Sequence, residues 1–205
     1  LMRHRLTLDA LLAREGEVIG TWTQIAHPDL IDALGAAGFD FTIIDCEHGA
    51  FGVETAEPLI RACEAAGVAP LVRVPRGDCT SIGKALDAGA IGVLAPAVGS
   101  AEEARVLASA TRFAPEGTRG ACPIVRAAAH SATAWRDFAA AQQGNGLIAM
   151  IETPDGVAAA DAICATPGVK AVLLGPFDLS VAVGHAGDVR VPAVQAALER
   201  VVAAA

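Results

Sequence analysis

The sequence predicts an α/β fold built on a parallel sheet, and three observations carry that prediction. Apolar runs alternate with Ala-rich helical runs along the chain, the apolar runs are hydrophobic almost throughout, and most are followed at once by a polar residue capable of chemistry. Strand and helix in alternation make a parallel sheet. Strands without an exposed polar face belong in a sheet covered on both sides, so a doubly wound sheet and a (β/α) barrel both fit, and periodicity alone does not separate them. Either architecture points its strand C-termini at one face, where side chains distant in sequence converge.

The strand candidates are VIGTWT from Val18, FTIIDCE from Phe41, PLVRVP from Pro70, IGVLAPA from Ile91, GLIAMIE from Gly146 and AVLLGPF from Ala171. Between them HPDLIDALGAAG, VETAEPLIRACEAAG, TSIGKALDAG, SAEEARVLASATRF and GVAAADAICATPG read as helices, several closing on the glycine expected just past a helix C-terminus. APEGTRGACPIVRA is a long irregular connection, and GNG around Asn145 is a turn. No P-loop, GxGxxG or EF-hand pattern is present.

The 205 residues suit one domain spanning 1–205, and 53% apolar content supports a core without disulfides. With 23 acidic against 15 basic residues, a net charge of -8 and no basic run, nucleic acid is not an expected partner. Five cysteines, odd in number and never at CxxC spacing, argue against a disulfide framework and a structural zinc site and point to the cytoplasm. The basic opening LMRHRL leads into no apolar h-region, and charges break the Ala-rich segments, so neither a targeting signal nor a membrane span is expected.

The residues that follow the strands form the candidate site. Asp45, Glu47 and His48 follow the second, Arg73 ends the third, Glu152 ends the fifth and Asp178 follows the sixth. His48 sits in a turn bounded by Gly49, the position of a general base, whereas His4, His27, His130 and His185 read as structural or solvated. Arg73 lies inside an apolar run and needs an anion, either Asp45 or Glu47 internally or the carboxylate or enolate oxygen of a substrate. Glu152 and Asp178 are oxygen donors suited to a hard ion such as Mg²⁺ or Mn²⁺, completed by water and substrate; a helix N-cap is the competing reading for each. Asp87, near a helix end, is a solvated acid unless it reaches His48 and fixes its tautomer. Arg119 stands in the long connection, which either covers a pocket and meets an anionic substrate or is solvated, and Trp22 either lines the pocket or packs in the core.

The strings GTW at Gly20, AGFDFTIIDCEHG at Ala37, PLVRVP at Pro70, KALDAGAIGVLAP at Lys84, RFAPEGTRG at Arg112, MIET at Met150 and GPFDLS at Gly175 resemble, in order, those of the HpcH/HpaI aldolases, the metal-dependent class II pyruvate aldolases. The resemblance implies a (β/α)8 TIM barrel of the phosphoenolpyruvate/pyruvate type that cleaves a 4-hydroxy-2-oxo acid reversibly to pyruvate and an aldehyde. It implies that His48 is the catalytic base with Asp87 as its partner, that Arg73 binds pyruvate, that Glu152 and Asp178 hold a divalent Mg²⁺, Mn²⁺ or Co²⁺, and that the backbone at Gly175, Pro176 and Phe177 helps hold the pyruvate carboxylate. It also implies a homo-oligomer, a trimer or hexamer exchanging a C-terminal helix.

A class I aldolase needs a Schiff-base lysine, and the two lysines are Lys84, mid-helix, and Lys170, at a strand start on the wrong face. Two departures from the family pattern stand out. Met150 takes a place where some members carry glutamine, which bears on aldehyde preference. Only six strands fit before VQAALERVVAAA, while such a barrel uses about 250 residues, so the last two strands are expected to be missing from the chain. Two other functions stay open: an acyl-CoA lyase of the citramalyl-CoA type, which needs a basic groove for the nucleotide, and a non-catalytic binder of oxo acid or metal.

Overall fold

In the computed structural model, which describes residues 6–205, helix α1 (Leu8–Leu12) precedes strand β1 (Gly20–Thr23). Then follow α2 (Pro28–Ala36), β2 (Phe41–Asp45), α3 (Val53–Ala66), β3 (Ala69–Arg73), α4 (Cys79–Ala88), β4 (Gly92–Ala95) and α5 (Ala101–Ser109). After a long connection with a 3-10 turn at Arg126–Ala128 come α6 (Trp135–Gln142), β5 (Gly146–Ile151), α7 (Pro154–Ala158), α8 (Ala160–Cys164), β6 (Val169–Leu174), α9 (Pro176–Ala182) and α10 (Pro192–Ala204). All six strands are parallel and lie in the order β1-β2-β3-β4-β5-β6, each beside its neighbour in sequence. Consecutive strand order without a reversal belongs to a (β/α) barrel and not to a doubly wound sheet, which changes direction at a switch point. The six strand candidates are all present, and the chain carries six strands of that barrel order.

Alternate residues of each strand face opposite sides, and two apolar layers result. Ile44, Val72, Val93, Leu147 and Ile151 pack outward against the helices, in a cluster that includes Ile60, Ile82, Leu86 and Ile163. Ile43, Leu71, Leu94, Ile148 and Met150 pack inward with Leu8 and Leu11 of α1. Helix α1 therefore plugs the N-terminal end of the sheet. It is tied there by Thr7, whose hydroxyl caps it, by Asp9 N–H on the Gly144 carbonyl at 2.9 Å, and by Asp9 with Lys170 at 2.8 Å. Full burial of Leu8 contributes about 2 kcal/mol.

Glycines end α3 and α4 in the left-handed region, Gly67 at φ 76° and Gly89 at φ 111°, as the sequence predicts. The run GVAAADAICATPG forms two short helices, α7 and α8, that meet at Ala159. Among the described residues no helix is long and apolar enough to cross a membrane. The basic opening through residue 5, with His4, lies outside the described residues.

Candidate active site

The inward parity of the strands builds the site. Continuing the series Ile43 to Asp45, Leu71 to Arg73, and Ile148 through Met150 to Glu152 carries three charged side chains one rung above the inner apolar layer, at the strand C-termini. Register does the rest, since Asp45 and Arg73 are direct partners across β2 and β3. Arg73 Nε donates to Asp45 Oδ1 at 2.8 Å and Nη2 to Oδ2 at 2.6 Å, a bidentate pair with both side chains buried. The remaining nitrogen, Nη1, lies 3.4 Å from Glu47 Oε2, and the indole of Trp22 faces the guanidinium at 4.4 Å. Arg73 is thus fixed in its plane by Asp45 and on its face by Trp22. The indole, about 40% exposed, lines the mouth and is not a core residue.

Asp45 accepts two more bonds on Oδ1, from the backbone N–H groups of Glu47 and His48, both at 3.1 Å, and one on Oδ2 from Gln24 Nε2 at 2.7 Å. Burial pushes its carboxyl upward, but the bonds from Arg73, Gln24 and the His48 N–H outweigh it and hold the group at about 2. Asp45 is therefore a permanent anion that shapes the turn presenting His48. The His48 side chain itself is exposed at the mouth.

Glu152 is the opposite case. Its Oε1 accepts from the Ala97 N–H at 2.8 Å, while Oε2 is buried with no hydrogen-bond partner. Burial raises its proton affinity, the Ala97 bond opposes this, and the charges of Asp178 and Glu47 raise it further. Glu47 is likewise raised, first by burial and against the pull of Arg73. The capping reading fails for both acids at the strand ends, because Thr153 caps α7 and Gly175 is the N-cap of α9, with Asp178 in its first turn. Gly175 must be glycine, since a Cβ there would collide with Glu152 Oε2 and Met150. Its own N–H is taken by the Ile151 carbonyl and Pro176 has none, so the donors this turn offers are the Phe177 and Asp178 N–H groups, which precede the first intrahelical bond, from Leu179 to Gly175.

Two expected site residues are not brought to this mouth. Helix α4 runs back from the strand C-termini, which carries Asp87, its second-last residue, away from His48; the expected Asp87–His48 pair is not formed within the chain. Instead Asp87 accepts from Arg119 Nη2 at 2.6 Å, and Arg119 Nη1 donates to Gln142 at 2.9 Å. Arg119 stacks on Phe113 at 4.5 Å and is buried, so it is closed to a substrate in this chain. The long connection follows α5 and leads through α6 to β5, and links that run from a helix to the next strand lie at the N-terminal end of a barrel. His27 caps α2 and His130 holds the Ile124 carbonyl, both structural. Lys84 pairs with Glu54 on the outer helices and Lys170 with Asp9 beside α1, so neither lysine stands at the mouth. Gln24, which no sequence motif singles out, lies one residue beyond β1 on the inward parity of Gly20 and Trp22, and that parity is the signal that finds it.

A family model described as HpcH/HpaI aldolase/citrate lyase matches residues 18–205, which takes in every strand and every residue of the mouth. The chain belongs to the HpcH/HpaI aldolase/citrate lyase family. Similar proteins include a 2-dehydro-3,6-dideoxy-6-sulfogluconate aldolase of Pseudomonas putida, 37% identical over 91% of this chain and 72% of that protein. A 5-keto-4-deoxy-D-glucarate aldolase of Escherichia coli K12 is 36% identical over 94% of this chain and 75% of its own length. Among solved structures, an HpcH/HpaI aldolase/citrate lyase family protein from Burkholderia cenocepacia J2315 superimposes with a TM-score of 0.88 at 34% identity, over 96% of this chain and 79% of that one.

Proposed function

We propose that the chain is a metal-dependent aldolase that cleaves a 4-hydroxy-2-oxo acid reversibly to pyruvate and an aldehyde. The observation that carries this reading is the unpaired, buried Oε2 of Glu152 beside the charge of Asp178, with no salt bridge to either carboxylate among the described residues. A buried anionic oxygen left without a partner is costly, and a divalent ion supplies what is missing. Among the described residues no group of three or more His, Cys, Asp and Glu is placed to hold a metal ion, so water and substrate would have to complete the coordination. Glu152 and Asp178 would hold Mg²⁺, Mn²⁺ or Co²⁺, and the ion would supply positive charge against the enolate that forms on pyruvate.

The chain's own residues supply the rest. Arg73, locked by Asp45, offers Nη1 to the oxo acid's carboxylate or enolate oxygen, and Trp22 limits how far the guanidinium can tilt. The Phe177 N–H adds a donor on the far side. His48, exposed at the mouth and held by its backbone bond to Asp45, accepts the proton of the C4 hydroxyl as the C3–C4 bond breaks and its electrons pass to pyruvate. Asp87 serves His48 only if a second copy of the chain brings it there, consistent with a homo-oligomer such as a trimer or hexamer. A cytoplasmic site of action and a single domain complete the reading.

The acyl-CoA lyase alternative needs cations for a nucleotide, and the mouth instead sets Asp45, Glu47 and Glu152 about the guanidinium of Arg73, with Asp178 beside Glu152. The deciding experiment is pyruvate release from a racemic 4-hydroxy-2-oxo acid with Mg²⁺ or Mn²⁺, with and without EDTA. Turnover that EDTA abolishes supports the reading; turnover untouched by EDTA, or none with any metal, defeats it.

A further inference from the structure

We propose that Gln24 is a positioning residue of this site, fixing the Arg73 clamp through Asp45 and so setting how tightly the oxo acid is held. The inference rests on the aldolase reading for its kinetic consequence and on geometry alone for the contact. Gln24 follows Thr23, which is in register with Ile44, so Gln24 stands at the level of Asp45, and Asp45 is in register with Arg73. Three adjacent strands thus contribute one rung: an amide, a carboxylate and a guanidinium. Gln24 Nε2 donates to Asp45 Oδ2 at 2.7 Å, the same oxygen that takes Arg73 Nη2 at 2.6 Å. An exposed glutamine ordinarily keeps its rotamer freedom, and here it gives that up to bond a fully buried anion.

The two carboxylate oxygens do not depend on Gln24 equally. Without it, Oδ1 keeps its three donors, Arg73 Nε and the backbone N–H groups of Glu47 and His48, while Oδ2 keeps only Arg73 Nη2. Oδ2 then rests on Arg73 Nη2 alone, and the guanidinium is held less firmly on that side. The other titratable groups around this rung are His48 and Glu47 in the turn after β2, Glu152 after β5 and Asp178 on α9, and among the described residues none of their side chains bonds Asp45 Oδ2 in place of Gln24.

Two substitutions test this in the full chain with Mg²⁺. Gln24→Met keeps the length and removes the donor; KM for the oxo acid and the inhibition constant of pyruvate are expected to rise together by about tenfold, with kcat little changed and the melting temperature preserved. Gln24→Glu restores a donor only while the new carboxyl keeps its proton. Its kcat/KM relative to wild type is expected to be near unity in acid and to fall as the pH rises through that ionisation. A merely structural residue would lower the melting temperature in both variants and leave that ratio flat with pH. An unchanged KM in Gln24→Met, or a flat ratio in Gln24→Glu, overturns the proposal. A second readout needs no turnover: the Arg73 guanidinium N–H resonances, resolved by hindered rotation in the wild type, are expected to average in Gln24→Met. Identical Arg73 spectra overturn the Gln24 assignment, whereas a wild type that releases no pyruvate overturns the aldolase reading and leaves the spectra to decide this one.

Discussion

The two ends of the sheet use the same residue types to opposite effect. At the N-terminal end every acid named has a cation: Asp87 has Arg119, Glu64 has Arg126, and Asp9 has Lys170. At the C-terminal mouth stand four carboxylates; Asp45 and Glu47 pair with Arg73, while Glu152 and Asp178 form no salt bridge among the described residues. Matched pairs hold elements together, as Arg126 does when it joins Glu64 of α3 to the carbonyl of Ala88 at the end of α4. An excess of buried acid weakens the fold unless something binds. The comparison teaches that charge balance, more than residue type, separates the part of this barrel that is architecture from the part that is chemistry.

The sharpest way to break the comparison is to remove an unmatched acid. Glu152→Ala or Asp178→Ala is expected to abolish metal binding in a calorimetric titration and to lower turnover about a thousandfold or more. Normal metal affinity in both variants would show that these acids are not ligands. Next is Arg73→Lys, which replaces the fork by a point charge and leaves Asp45 half-paired; kcat/KM is expected to fall by about a hundredfold or more, with about 3 kcal/mol of stability lost in urea. His48→Ala should lower kcat about 10²- to 10⁴-fold while metal affinity stays, a split that separates the base from the ligands.

The remaining two effects are smaller and concern stability. Asp45, held at about 2 against an ordinary 3.8, contributes most above about pH 4 and loses that contribution as the pH falls through 2, a difference of about 2 kcal/mol. Denaturation curves at about pH 5 and about pH 2.5 should show that decline, and Asp45→Asn should flatten it. At the matched end, Glu64→Gln is expected to cost about 1 kcal/mol and to leave metal affinity alone, because Arg126 keeps the Ala88 carbonyl.

Much of this is legible in the sequence because strand ends are legible. Apolar runs mark the strands, and whatever polar residue follows inherits the mouth, which is how His48, Arg73, Glu152 and Asp178 come to be read together. The direction of the helices is the harder part. Asp87 and Arg119 have the chemistry of site residues, yet Asp87 ends α4 and Arg119 follows α5, and a helix that runs back from the strand C-termini ends at the far side of the sheet. Gln24 escapes because a lone glutamine in a turn carries no chemical signature; only the register across β1, β2 and β3 gives it one. Trp22 is ambiguous because an indole suits core and mouth alike until Arg73 is placed against its face.

Leu8 and Leu11 close the foot of the sheet, on the side away from Arg73 and Glu152. A stopper at that end leaves the strand C-termini as the side from which, on the aldolase reading, an oxo acid would reach Arg73 and its fragments would leave.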